Sequence, residues 1–202
     1  MKRKILGTLV LLTLPLVADV NVVVLSGSLR EDSWNKKLAK EAASYAVKKG
    51  TNVTYFDLAQ FPLPFFNADL ETKKGMPENA KIIRRSIAKS DAVIIASPNY
   101  NGSMSGVLKN MLDWMSRTED GQDSRSIFKG KKVAIMSASG GKSGGAGGLP
   151  HLQHVIEKLG GTVAKTQLSV SKAHTKFDNN GHLFDSPDKD GLIREVKEVL
   201  NM

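Results

Sequence analysis

Val22-Val23-Val24-Leu25-Ser26-Gly27-Ser28-Leu29-Arg30-Glu31-Asp32-Ser33-Trp34-Asn35 is the stretch whose reading decides the fold. An apolar run of strand length passes through hydroxyls, one glycine and one arginine into residues of helical period. Trp34, Leu38, Ala42 and Tyr45 recur at that period in a helix expected from about Ser33 to Lys49, and Gly50 follows where a helix-terminating glycine belongs. At the turn, backbone N–H groups, hydroxyls and a guanidinium converge on one point, and a helix N-terminus carries roughly half a positive charge there. Such a point suits a phosphate. An ordinary strand-to-helix turn with a serine N-cap accounts for the same residues equally well.

Working outward, strand-length apolar runs keep alternating with helical stretches. The first strand is Asn21 to Leu25, and Thr51 to Phe56 is a second, rich in β-formers. Phe61-Pro62-Leu63-Pro64-Phe65-Phe66 cannot be a central strand, because each proline removes a ladder donor. Pro77 opens a helix running to about Lys89, and Asp91 to Ala96 reads as a strand buried on both faces. After the turn residues Ser97 to Ser103 comes a helix whose Met104, Leu108, Met111, Leu112 and Met115 share one face, a pattern expected of core packing. Lys132 to Ser137, Pro150 to Leu159, Thr162 to Val170 and Leu192 to Leu200 read as strand, helix, strand and helix. Five strands alternating with helices imply an α/β fold with a parallel sheet and helices on both faces. In such folds ligands lie beyond the carboxyl ends of the strands. Three unusual loops occupy such ends: Ser26 to Ser33, Ser97 to Ser103, and Ser139 to Gly148.

Composition narrows the chemistry. The 202 residues suit one domain, and 41% hydrophobic with 24% charged residues are ordinary globular values. The formal charge is +9, of which Lys2, Arg3 and Lys4 supply three. No basic motif interleaved with aromatics accompanies that charge, so anionic small molecules are expected as ligands rather than nucleic acid. The absence of cysteine removes disulfides, thiolate nucleophiles and zinc–thiolate sites. Gly141-Lys142-Ser143 has the ending of a phosphate-binding P-loop, but the leading glycine would fall at Met136; a G-x-G-x-x-G beginning at Gly145 fails at Pro150. What remains is a glycine-rich loop expected to be mobile and to let backbone approach a flat ligand. His151 and His154 are three apart on a helix without further ligands nearby, and Asp178 to Asp190 lacks calcium-loop order, so no metal site is expected. Residues 1–18 combine a basic start, an apolar stretch and a small residue before Asp19, the order of a signal-like segment or a tether, leaving 19–202 as one domain.

Taken together, S-G-S-L-R-E-D-S-W-N-K-K-L-A from Ser26, S-P-N-Y-N-G-S-M-S-G-V-L-K-N-M-L-D-W-M-S-R from Ser97 and F-K-G-K-K-V-A-I-M-S-A-S-G-G from Phe128 resemble the NADPH-dependent FMN reductase family, which includes chromate and quinone reductases. The resemblance runs from about Val20 to Leu159 and is loose over the last forty residues. It implies a flavodoxin-like doubly wound sheet of order 2-1-3-4-5, non-covalent FMN, NADPH or NADH as co-substrate, and a homodimer or homotetramer. It implies further that Ser26, Ser28, Arg30, Ser33 and Asn35 hold the FMN phosphate and ribityl end, with Leu29 contributing backbone. Pro98, Asn99, Tyr100 and Asn101 would edge the isoalloxazine, Gly102 and Ser103 would complete that loop, and Ser139, Gly140 and Gly141 would contact the ring from the third loop. Many chromate-reductase relatives have Glu where this chain has Asn99, a change that bears on substrate range and flavin potential.

The function expected is a reductase passing hydride from NAD(P)H to bound FMN and on to quinones, free flavin, azo compounds or metal oxyanions such as chromate. Its chemistry is centred on the flavin, so no residue is expected as an acid or nucleophile. A flavodoxin-type electron carrier reduced by a protein partner is the alternative, although such carriers are commonly acidic. Supply of NADPH and FMN points to the cytoplasm, with residues 1–18 a membrane tether or a misplaced start; export after their cleavage is the alternative.

Overall fold

The computed structural model describes residues 20–119 and 127–201; the signal-like stretch 1–18 lies outside them. Strands β1 (Asn21–Ser26), β2 (Asn52–Asp57), β3 (Ala92–Ala96), β4 (Lys132–Ala138), β5 (Thr162–Val163) and β6 (Ser169–Val170) form one parallel sheet. Helices α1 (Trp34–Lys48), α2 (Ala68–Lys74), α3 (Glu78–Lys89), α4 (Gly106–Met115), α5 (Leu149–Lys158) and α6 (Pro187–Leu200) connect and cover it. The order β2-β1-β3-β4-β5 matches the flavodoxin-like arrangement expected.

Strand alternation sorts the core into two layers. Val23, Leu25, Val93, Ile95, Val133 and Ile135 face α3, α4 and α5 with Leu108, Met111, Leu112 and Met115, so the methionine-rich stripe is core. Val22, Val24, Ile94, Ala96 and Met136 face the other way, against Leu38, Ala39, Ala42 and Ala46 of α1 and Leu192, Val196 and Val199 of α6. The alanines let α1 lie close against the central strands. Each fully buried Val, Leu or Ile contributes on the order of 1.5–3 kcal/mol.

Three elements differ from the sequence expectation. The single strand expected over Thr162 to Val170 is two short pieces, both paired with β4. Between them, Glu198 on α6 accepts from the N–H groups of Lys165 (2.6 Å) and Thr166 (3.1 Å). Buried Glu195 accepts from Leu168 (2.9 Å) and from Ile135 of β4 (2.8 Å), so helix carboxylates replace missing ladder partners. Helix α6 starts at Pro187 instead of Leu192, because Ser186 caps Lys189 N–H and Asp188 and Asp190 lie in the first turn. Helix α2 was not anticipated. Its seven residues bury none of their own side chains, but Asn67 accepts from Asp69 and Leu70, and Gly75 at φ 72° ends it.

The connections from β1 and from β3 leave in opposite directions across the sheet. Their carboxyl ends lie side by side, with Ser26 opposite Ala96 and Ala96 opposite Met136. The three singled-out loops begin at this switch point.

Candidate cofactor site

The first loop leaves β1 along the top of α4. Gly27 N–H donates to Ala96 O (2.9 Å), and Ser105 Oγ donates to Gly27 O while capping α4 by accepting from Leu108 N–H. A side chain at Gly27 would press on Leu108 at 3.1 Å, so glycine is what seats the loop. Ser28 is buried, and its Oγ accepts from Arg30 N–H at 3.3 Å. Ser33 occupies the N-cap of α1 with extended backbone, yet its hydroxyl makes no capping bond. That hydroxyl, the Arg30 guanidinium and the first-turn N–H groups of a 15-residue helix are therefore open to an anion.

Asn35 is bolted in place. Its Nδ2 donates to Ala138 O and its Oδ1 accepts from Ala138 N–H, both at 2.9 Å, fixing the start of α1 to the end of β4. Behind the loop, burial and nearby Asp57 push the Tyr55 hydroxyl up to about 12, and Lys36 pairs with Asp57 at 2.9 Å. Asp32 is held below the usual carboxylate range by its hydrogen bond and ion pair with Lys37.

The second loop is a tight hairpin. Tyr100 and Ser103 exchange backbone bonds of 2.8 and 3.1 Å around Asn101 (φ 54°) and Gly102 (φ 82°), two left-handed residues in succession. Ser103 Oγ lies 2.7 Å from His151 Nδ1, which ties the hairpin to the start of α5. Tyr100 is half exposed, whereas Asn99 Oδ1 is buried without a hydrogen-bond partner among the described residues.

The third loop, expected to be mobile, is tied to the turn after β6, and Gly144 and Gly145 are buried among protein atoms. Gly141 O accepts from Lys172 N–H (3.1 Å), Ala173 N–H donates to Ser139 O (3.0 Å), and successive turns run from Ser143 to Gly148. At Gly144 (φ 61°) a Cβ would lie 2.8 Å from the β6 backbone, and at Gly145 (φ 85°) 2.1 Å from Ser137 Oγ. These glycines admit neighbouring protein atoms.

The loops enclose a cleft of about 280 Å³ lined by Ser28, Arg30, Ser33, Trp34, Asn35, Pro98, Asn99, Tyr100, Ala138, Ser139 and Gly140. Nine of these eleven are among the fifteen expected site residues. Ser26 is fully buried at the end of β1, and its Oγ lacks a partner among the described residues. Leu29 faces a separate polar groove beside α1. Asn101, Gly102, Ser103 and Gly141 shape their loops without lining the cleft. Trp34 and Ala138 were missed, Trp34 because its helical spacing also fits the α1 core stripe; it stacks on Phe177 at 5.7 Å with Lys37 Nζ 4.3 Å from its ring centre.

A flavin mononucleotide fits this donor set. The uncapped N-terminus, Ser28, Ser33 and Arg30 match a phosphate at one end, and Pro98, Asn99, Tyr100, Ser139 and Gly140 form the walls at the other. Among the described residues, no group of three His, Asp or Glu could hold a metal ion.

Comparison with known proteins agrees with this geometry. Residues 20–175 match the NADPH-dependent FMN reductase family. An NAD(P)H-dependent FMN reductase of Pseudomonas aeruginosa is 34% identical over 91% of this chain and 95% of its own. An NADPH:quinone oxidoreductase of Arabidopsis thaliana is 34% identical over 90% of this chain and 88% of its own. The solved structure of FerB, a flavoenzyme NAD(P)H:(acceptor) oxidoreductase of Paracoccus denitrificans, superposes with a TM-score of 0.74 at 28% identity, covering 90% of this chain and 98% of that one. Three strand-end loops around one cleft and matches along almost the whole fold lead to one conclusion: the chain belongs to the NADPH-dependent FMN reductase family.

Proposed function

We propose that this protein oxidises NAD(P)H and reduces a quinone, with FMN held in the cleft between the three loops. The observation that carries the reading is the convergence of an uncapped helix N-terminus, Ser28 and Arg30 with the Pro98–Tyr100 and Ser139–Gly140 loop segments on one cleft at the switch point. FMN, when bound, supplies the redox chemistry, taking a hydride from the reduced nicotinamide and passing two electrons to the acceptor. The balance is NAD(P)H plus quinone plus one proton giving NAD(P)⁺ plus hydroquinone.

The protein binds, orients and leaves access. Ser28, Ser33 and Arg30 hold the phosphate. Pro98, Asn99 and Tyr100 would edge the ring from the second loop, and Ser139 and Gly140 from the third. Asn35 and the His151–Ser103 contact keep these walls at a fixed separation. At about 280 Å³ the cleft is smaller than the ~300–1,000 Å³ typical of sites that enclose a ligand. A cleft of this size would leave part of a bound flavin accessible to the donor and the acceptor in turn.

Free flavin, azo compounds and metal oxyanions such as chromate are further acceptors within this reading. A homodimer or homotetramer belongs to it as well, supported by exposed Phe65 beside the Gly106–Asp113 face of α4. No helix among the described residues is long and apolar enough to cross a membrane. A cytoplasmic place, with 19–202 as one FMN-binding domain, rests on where NADPH and FMN are supplied. Steady-state kinetics with NADPH and a benzoquinone test the exchange of reactants at one face. Parallel double-reciprocal lines are expected, and an obligatory ternary complex contradicts it.

A further inference from the structure

The turn that follows β6 brings basic side chains to the third loop, beside residues of the cleft wall. Lys172 N–H donates to Gly141 O and Ala173 N–H to Ser139 O, so this turn is stitched to the third loop. His174 lies against the cleft wall, its Nδ1 3.9 Å from where a Cβ on Gly140 would sit. Lys172 holds a left-handed backbone (φ 47°), a conformation that costs a lysine energy and that asparagine or glycine adopts more readily. Lys142 is exposed within the third loop. Among the described residues, Lys142, Lys172 and His174 make no ion pair, whereas nearby Lys176 is neutralised by Asp188 at 2.9 Å.

The phosphate of FMN is already provided for at the far end of the cleft, on Arg30 and the N-terminus of α1. Two lysines and an imidazole without ion pairs, carried by the third loop and the turn stitched to it, suit a second phosphate-bearing molecule. The nicotinamide donor is one: its pyrophosphate, and the 2′-phosphate when the donor is NADPH, must lie outside the cleft while its nicotinamide lies on the ring. We propose that Lys172 and His174, with Lys142, form the anchoring site for the donor's adenosine 2′-phosphate and so select NADPH over NADH. The inference rests on the reductase reading above and adds to it the residues that choose the donor. Point-charge recognition by lysine and an imidazole donor suits a phosphate that must bind and leave in each cycle.

The test uses FMN-loaded protein and two probes without a nicotinamide, adenosine 2′,5′-bisphosphate and 5′-AMP, titrated by calorimetry. Wild type is expected to bind the bisphosphate about tenfold more tightly than 5′-AMP. Lys172→Asn, which removes the charge and suits the left-handed backbone, combined with His174→Gln, is expected to abolish that difference. FMN affinity serves as the check on folding and is expected to be unchanged. Equal affinity of wild type for the two probes, or a difference that survives both substitutions, overturns the anchor. Reduction of bound flavin equally well by NADPH and NADH overturns the anchor alone, whereas reduction by neither overturns the reductase reading.

Discussion

Asn35 provides the sharpest test of how the cleft is held together. It is buried, and its amide forms both of its 2.9 Å bonds with the backbone of one residue, Ala138, joining the start of α1 to the end of β4. In Asn35→Ala both backbone groups of Ala138 lose their partner. Each unsatisfied buried group costs about 1–3 kcal/mol, and water entering from the cleft recovers part, so a loss of about 2–4 kcal/mol is expected. For a chain of this size that is a fall in Tm of about 5–15 °C. Asn35→Asp keeps the acceptor for Ala138 N–H but turns a carboxylate oxygen towards Ala138 O, and it sets a negative charge in the cleft proposed to hold the flavin phosphate. Stability should fall by a similar amount, while FMN affinity should fall further than in the alanine variant. Urea unfolding of the apo protein measures the first quantity and fluorescence titration of FMN the second. An alanine variant within about 0.5 kcal/mol of wild type would refute the bolt. An aspartate variant binding FMN as tightly as the alanine variant would refute the electrostatic part.

Arg30→Ala should weaken FMN binding by about 10–100-fold, the worth of charge-assisted bonds to a phosphate, and unchanged affinity would remove the arginine from the site. Gly145→Ala should destabilise by about 3–5 kcal/mol in urea unfolding, since its Cβ would meet Ser137 Oγ at 2.1 Å with φ at 85°. Gly50→Ala, equally left-handed but facing open space, should cost only about 1 kcal/mol, and similar losses at the two sites would show that crowding is not what fixes the third loop. Burial lifts the Glu195 carboxyl from 4.5 to about 8, against the pull of the Leu168 and Ile135 N–H donors. Its folded value lies above its unfolded one, so the stability it contributes is complete below about pH 4.5 and is lost as pH rises to about 8. Relative to Glu195→Gln, which does not titrate, wild type should lose its advantage over that window; a pH-independent difference contradicts the shift.

The parts of the fold that were legible in the sequence are those where local pattern and burial agree. Val22 to Leu25 and Ala92 to Ala96 are continuous apolar runs because both faces of their strands are covered, and Gly50 takes the positive φ that ends α1. The fifth strand position was not legible. Its pairing is completed by Glu195 and Glu198, thirty residues further along, and no local signal at Thr162 to Val170 announces carboxylates arriving from a helix. Helix α2 displays its caps in sequence but no apolar stripe, so periodicity passes over it. The three loops singled out by residue type do meet at one cleft, but the hydrogen bonding within them was not legible. Asn35 reads as a ligand by type and spends both polar atoms on Ala138, while Ser33 reads as a cap and keeps its hydroxyl for the cleft. The glycines of the third loop suggest mobility, yet their neighbours in space show crowding, which only the packed structure reveals.

The central claim is that bound FMN takes its electrons directly from a nicotinamide. Anaerobic stopped-flow mixing of the FMN-loaded protein with NADPH tests it most directly. The account predicts loss of the oxidised flavin absorbance in one step, stoichiometric with bound FMN, and its return when a quinone is added. Flavin that binds but stays oxidised in both NADPH and NADH, and is reduced only by a protein donor, would contradict the account and identify an electron carrier instead.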